Sequence, residues 1–204
     1  MILPVQMLSY MGSLFSATSA GSRPWPVCEP IDNALVIHAL NHLKQSSHMQ
    51  IEAGQMAPDF LMFDTDKQPV RLSELQGHPV VLLFFPFAFT GTCTAELCST
   101  RDDIAFYNNL NAKVFGISVD APYSLKIFKD QQSLNFQLLS DFNKTVSETY
   151  GCIYDRWGME LKGVSKRSAF VIDAEGVVRY AEVLENAGEL PDFEAIKNCL
   201  TGLS

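Results

Sequence analysis

Val80-Val-Leu-Leu-Phe-Phe85-Pro86-Phe-Ala-Phe-Thr90-Gly-Thr-Cys93 is the stretch whose reading decides the fold. Its first six residues are apolar without a break, as a strand buried on both faces of a sheet requires. Pro86 has no backbone donor and stops that strand. A short turn containing Gly91 follows, and the chain from Cys93 to Leu110 reads as helix. Cys93 is thereby placed in the first helical turn, at the carboxyl end of a central strand, where open α/β sheets carry their sites.

Working outward, Val114 to Val119 is a second apolar run and Phe136 to Leu139 a shorter third. Phe170-Val-Ile172 and Val177 to Val183 flank Asp173-Ala-Glu-Gly176, a hairpin turn signal. Tyr123–Gln131, Thr145–Tyr150 and Pro191–Leu200 read as helices between and after these strands. Strands alternating with helices and ending in a hairpin predict an α/β sandwich with a central mixed β-sheet flanked by helices. The chain carries no internal repeat and no low-complexity segment.

The 204 residues suffice for one domain plus an extension, and the 47% hydrophobic content with fourteen Phe predicts a sizeable core. The net charge of −8, with no Lys/Arg cluster, argues against nucleic acid and against an anionic membrane surface as partners. No apolar run approaches the roughly 18 residues of a membrane span. The five cysteines are odd in number and irregularly spaced, which reads as reduced thiols in a reducing compartment, hence a cytoplasmic protein.

Residues 1–48 read as an N-terminal extension with little order, and 49–204 as the domain. The extension balances Arg23 and Lys44 against Glu29 and Asp32, so the whole −8 belongs to the domain. Met1 to Ala20 is mildly apolar, but it lacks a charged start and is interrupted by Ser, Tyr and Gly, against a secretory signal. Pro24, Pro26 and Pro30 break regular structure, and Asn33 to Lys44 reads as a short amphipathic helix. Met49 offers an alternative start.

A thiol must ionise to act as a nucleophile, and a free cysteine has a pKa of about 8.5. The free N–H groups and positive dipole end of a helix N-terminus stabilise a thiolate. The hydroxyls of Thr90 and Thr92 can donate to sulfur or cap the helix. Most lone cysteines are packing residues, and Cys152 and Cys199 are read so. Cys28 has no role.

Pro86-x-x-x-Thr90-x-x-Cys93 resembles the P-x-x-x-T-x-x-C signature of the peroxiredoxins. The resemblance extends over nearly all of residues 50–200, through Gly54-Gln-Met-Ala-Pro-Asp-Phe60, Leu138-Leu-Ser-Asp141 and Lys166-Arg-Ser-Ala-Phe-Val-Ile-Asp173. It implies a thioredoxin-like fold and a thiol-dependent peroxidase that reduces hydrogen peroxide and alkyl hydroperoxides without metal or organic cofactor. By the same resemblance Cys93 attacks the peroxide and becomes a sulfenic acid. Thr90 hydrogen-bonds the peroxide, Pro86 shields the sulfur and Arg167 completes the site. Glu96 and Arg101 fall where relatives carry an acid and a base behind the site; a solvated ion pair on a helix face accounts equally well for their spacing.

Cys98 follows Cys93 by five residues. On a straight helix their side chains point about 140° apart, with Cα atoms about 8–9 Å from one another, beyond the limit of about 7 Å for a bridge. In one peroxiredoxin subgroup, relatives of bacterioferritin comigratory protein, the resolving cysteine occupies this position and local unfolding brings it within reach. Phe87-Ala-Phe-Thr-Gly and Leu138-Leu-Ser-Asp-Phe142 are closer to a one-cysteine subgroup. We read Cys98 as resolving, with a thioredoxin-like reductant; without the bridge, a glutaredoxin-like or small thiol donor reduces the sulfenic acid. Relatives are monomers or homodimers. A dithiol reductase would need Cys-x-x-Cys, a cysteine hydrolase a His base, for which His78 is poorly placed, and zinc a further pair of ligands. A peroxide sensor that passes oxidation to a partner is the non-enzymatic alternative.

Overall fold

The computed structural model describes residues 49–203, and the extension read at 1–48 lies outside the described residues. The domain opens with a hairpin of β1 (Leu61–Asp64) and β2 (Pro69–Arg71). The Asp64 carboxylate accepts the N–H groups of Asp66 and Gln68, both at 2.8 Å, and so closes the turn. Then follow β3 (Val80–Phe84), α1 (Gly91–Asp102), α2 (Ile104–Asn109), β4 (Lys113–Ser118), α3 (Pro122–Gln131) and β5 (Gln137–Ser140). The second half comprises α4 (Thr145–Thr149), β6 (Ile153–Tyr154), β7 (Val164–Ser165), β8 (Ser168–Ile172), β9 (Val178–Val183) and α5 (Phe193–Thr201).

Seven strands form one sheet in the order β2-β1-β5-β4-β3-β8-β9, and β6 and β7 form a separate pair. β3 runs parallel to β4 and β4 to β5, whereas β8 is antiparallel to β3 and to β9. This is the mixed sheet expected from the sequence. All five residues of β3 are buried, and the period of two divides them between the faces. Val81, Leu83 and Phe85 meet Leu97, Tyr107, Leu125, Phe128, Ile196 and Leu200 from the helices. Val80, Leu82 and Phe84 meet Phe60, Tyr150, Cys152 and Phe170 on the other face.

The terminal hairpin turns where expected. Asp173 Oδ1 accepts from Glu175 and Val177, and Gly176 takes φ +89°, a conformation that suits glycine. The helix expected from Cys93 to Leu110 is instead two helices. It begins at Gly91 and breaks at Asp103, whose φ −95° and ψ 6° leave the helical region while its N–H still caps α1. Lys197 of α5 holds the Asp103 carboxylate at 2.7 Å and fixes the break. The four strands β1, β2, β6 and β7 were not expected. β1 alternates exposed and buried residues, but its exposed positions are Leu61 and Phe63, so hydropathy hides the alternation.

Burial raises the thiol pKa of Cys152 and that of Cys199, which keeps both protonated and fits packing roles. Gly116 sits mid-strand in β4, and a Cβ there would meet Leu138 Cδ2 at 2.6 Å, with Phe85 and Leu97 at 3.4 and 3.5 Å. Gly116→Ala is therefore expected to destabilise the domain by about 1–3 kcal/mol through overpacking. Urea denaturation checks it, and an unchanged midpoint would show that the centre of the sheet yields.

Candidate active site

The turn after β3 stays tied to the neighbouring strand. Phe85 N–H donates to Ile117 O at 2.9 Å, and Ser118 Oγ donates to Pro86 O at 3.3 Å. Asp120 Oδ2 accepts the Ala88 N–H at 2.7 Å and the Ser118 hydroxyl at 3.1 Å. Ser140 donates to Asp120 O at 2.6 Å and so links β5 to the same point. Phe89 lies at φ +64°, costly for an aromatic residue, and its ring packs on Phe128 with centroids 5.1 Å apart. Phe87 meets Trp157 at 5.6 Å. Aromatic rings thus border the turn, and Pro86 is buried beneath it.

Thr90 is the N-cap residue of α1 in an extended conformation, but its side chain makes no capping bond, contrary to one of the two roles expected of it. Its hydroxyl donates to Phe87 O at 3.0 Å, and its carbonyl accepts Thr94 N–H at 2.9 Å. Cys93 is the third residue of the helix and is 1% exposed.

Arg167 leaves the β7–β8 connection and enters this pocket, itself 1% exposed. Its Nη2 donates to Cys93 Sγ at 3.2 Å and to Ala187 O at 3.0 Å. Its Nε also reaches Ala187 O, at 3.3 Å, and its Nη1 donates to Glu96 Oε2. The chain around Ala187 is anchored by Tyr154, whose hydroxyl donates to Glu185 O at 2.9 Å, and by the Lys166–Glu185 ion pair at 2.5 Å.

The Glu96–Arg167 pair is unequal. Burial pushes the Glu96 carboxyl up to about 8, with Arg167 pulling it back. Burial also opposes the Arg167 charge, but Glu96 and Cys93 outweigh it and hold its pKa above the ordinary value. The yielding member is Glu96, because a guanidinium does not deprotonate in proteins and Glu96 Oε1 is buried without a hydrogen-bond partner.

The structure brings together Cys93, Arg167 and Glu96, places Pro86 and Thr90 on the turn that leads into α1, and leaves Arg101 and Cys98 elsewhere. Arg101 donates to Asp102 at 2.8 Å and to Gln132 O at 2.6 Å. Glu96, wholly buried on Arg167, is not half of a solvated pair with Arg101. Cys98 is half-buried, its Sγ meets Gln132 Oε1 at 3.7 Å, and neither Cys93 nor Cys98 is in a disulfide. Sequence reasoning missed Asp120, Ala187 and Trp157. His78 is half-buried at the other end of β3, where Asn111 meets its Nδ1 at 2.8 Å. An apolar cavity of about 150 Å³, lined by Leu72, Val80 and Ile172 among others, lies at that far end too, away from Cys93. Among the described residues no group of three or more His, Cys, Asp or Glu side chains is placed to hold a metal ion.

Two outcomes are expected. Asp120→Ala strands the Ala88 N–H and should cost about 1–3 kcal/mol in urea denaturation. Glu96 binds its proton more tightly folded than unfolded, so its contribution to stability is full below the ordinary carboxylate pKa and is lost as pH rises through about 8. The melting temperature should therefore fall across that interval, and less so in Glu96→Gln. Parallel curves for the two proteins would refute the assignment.

A model of the AhpC/TSA family matches residues 53–181. Alkyl hydroperoxide reductase E of Mycobacterium tuberculosis is 36% identical over 157 residues, 76% of this chain and 99% of that protein. Peroxiredoxin Bcp of Escherichia coli is 36% identical over 132 residues, 64% of this chain and 84% of that protein. The crystal structure of peroxidoxin BcpB from Mycobacterium tuberculosis superposes with a TM-score of 0.68 at 29% identity, covering 76% of this chain and 99% of that one. The family match spans most of the domain that holds this pocket, and the chain belongs to the AhpC/TSA family: it is a peroxiredoxin, a thiol peroxidase of thioredoxin-like fold.

Proposed function

We propose that Cys93 is the sulfur that reduces the peroxide. The observation that carries this is the buried hydrogen bond from Arg167 Nη2 to Cys93 Sγ at 3.2 Å, in which a cation that has donors only is aimed at the sulfur. The Cys93 thiolate attacks the terminal peroxide oxygen in line with the O–O bond. A sulfenic acid forms and water or an alcohol leaves. Arg167, with the Thr90 hydroxyl freed from Phe87 O, stabilises charge on the departing oxygen. Pro86 limits access to the sulfur.

The substrates are hydrogen peroxide and organic hydroperoxides; the name of the mycobacterial relative supports the second, and the rings of Phe87, Phe89 and Trp157 offer an apolar border. Cys98 resolves the sulfenic acid once the first turns of α1 unwind, and a thioredoxin-like donor reduces the bridge; if no bridge forms, a glutaredoxin-like or small thiol donor takes its place. The chain works in the cytoplasm as a monomer or homodimer, on sulfur chemistry alone. Among the described residues no helix is long and apolar enough to cross a membrane. A sensor that is oxidised once is not favoured, since the relatives carry the names of peroxide reductases.

Treating the reduced protein with one equivalent of hydrogen peroxide, followed by mass spectrometry, tests the assignment. Cys93→Ser should lose peroxide consumption, and wild-type consumption by that variant would overturn the role of Cys93. The full chain should yield a Cys93–Cys98 disulfide, and Cys98→Ser a lasting sulfenic acid. A lasting sulfenic acid in the unsubstituted protein would reject the resolving role.

A further inference from the structure

Glu96 has no exposed surface; its Oε2 accepts from one arm of Arg167 and its Oε1 has no partner. Cys93 lies three residues earlier on α1, on the same helix face, and its sulfur accepts from the other arm of the same guanidinium. One buried cation therefore faces two acidic groups. The remaining charged and titratable groups around this cluster supply no second cation. Lys166, largely buried, is already paired with Glu185, and burial and the Glu185 charge raise the Tyr154 phenol against the pull of Arg167, which keeps it neutral. Ala187 contributes a carbonyl, which adds to the negative side. A single guanidinium compensates one anion in a pocket shut off from water, and a second anion would be left without a partner.

We propose that Cys93 and Glu96 share one proton across Arg167, so that Glu96 is protonated while the sulfur is a thiolate and ionises when the sulfur is oxidised. This rests on Cys93 being the sulfur that attacks peroxide. The upward displacement of the Glu96 carboxyl to about 8 agrees with it.

The exchange balances through the reaction. The thiolate forms an S–O bond to the terminal peroxide oxygen as the O–O bond breaks. Sulfur is oxidised by two electrons to a neutral sulfenic acid, and the peroxide is reduced to an alkoxide, or to hydroxide when the substrate is hydrogen peroxide. The sulfur has then given up its negative charge. Glu96 releases its proton, which ends on the departing oxygen as alcohol or water, and the carboxylate takes over the guanidinium. The cluster is neutral before and after, and no net proton is drawn from the medium. Glu96 is in this sense a positioning residue: it acts on the sulfur through Arg167.

Infrared difference spectroscopy on the full chain carrying Cys98→Ser, before and after one equivalent of hydrogen peroxide at neutral pH, tests the proposal. The carbonyl stretch of a protonated carboxyl group should vanish as the sulfenic acid forms, and should be absent throughout in Glu96→Gln. In weakly buffered solution with a pH indicator, the protein with Glu96 should take up no net proton per sulfenic acid formed, whereas Glu96→Gln should take up one. A protonated-carboxyl band that oxidation leaves unchanged, or equal proton uptake by the two proteins, overturns the proposal. The infrared measurement on the Glu96 protein decides alone if Glu96→Gln does not fold. Mass spectrometry of the same samples separates the claims. Absence of oxidation at Cys93 defeats the assignment of the attacking sulfur; oxidation at Cys93 with an unmoved band defeats the shared proton only.

Discussion

The guanidinium of Arg167 donates to a sulfur, a carboxyl group and a main-chain carbonyl, and the elements around the site are arranged about it. Cys93 and Glu96 come from α1, Arg167 from the β7–β8 connection, and Ala187 from the segment between β9 and α5. A buried cation is tolerated only when its donors are met, and here each contact is also what fixes a partner in place. The planar fork matters as much as the charge, since it lets two arms address two acidic groups at once. A lysine would bring a point charge and could not hold both in register.

A second, polar network positions the turn that carries the sulfur to that cation. Asp120, just past β4, holds Ala88 and Ser118, and Ser118 holds Pro86. These contacts run across the ends of the three parallel strands β3, β4 and β5, because Ser140 closes the chain on the Asp120 carbonyl. The left-handed backbone at Phe89 is sustained by the same anchoring and by the contact with Phe128. Burial of β3 on both faces therefore has a direct consequence for chemistry. The strand cannot slide, so the turn it feeds is delivered to the same place each time the chain folds.

What the sequence made legible follows from the range of each interaction. β3 and the start of α1 are local: an unbroken apolar run, a proline, then a helical stretch fix them without reference to the rest of the chain. The Asp173–Gly176 turn is local too. Arg167 lies 74 residues from Cys93, and no periodicity relates the two, so only family resemblance pointed to it. Ala187 acts through a carbonyl that every residue possesses, and nothing in its side chain marks it. Glu96 and Arg101 looked alike on paper, two charged residues on one helix. Burial separates them, since Glu96 faces the sheet and Arg101 reaches out to α3 and the Gln132 carbonyl. β1 was hidden for the opposite reason, because its solvent face carries Leu61 and Phe63 where alternation would call for polar residues.

The distance between Cys93 and Cys98 gains meaning from these contacts. The unwinding that the proposed cycle requires must pull Cys93 off Arg167, because Cys93 is the third residue of α1. While the sulfur is a thiolate, that separation removes an anion from a buried cation and is heavily opposed. Oxidation changes the balance. A sulfenic acid is neutral, so its bond to Arg167 weakens from charge-assisted to ordinary, and in the proposed exchange the anion facing the guanidinium passes to Glu96, one turn further along α1. The other half of α1 stays clamped, with Arg101 on the Gln132 carbonyl and the Asn135 side chain donating to Arg101 O at 3.1 Å. Opening is therefore directed to the amino-terminal turns, which frees Cys93 to move while Cys98 is held near its resting place. On the proposed cycle, oxidation releases the sulfur from the guanidinium while Glu96 keeps it, so the residue that must move is freed and the helix behind it stays anchored.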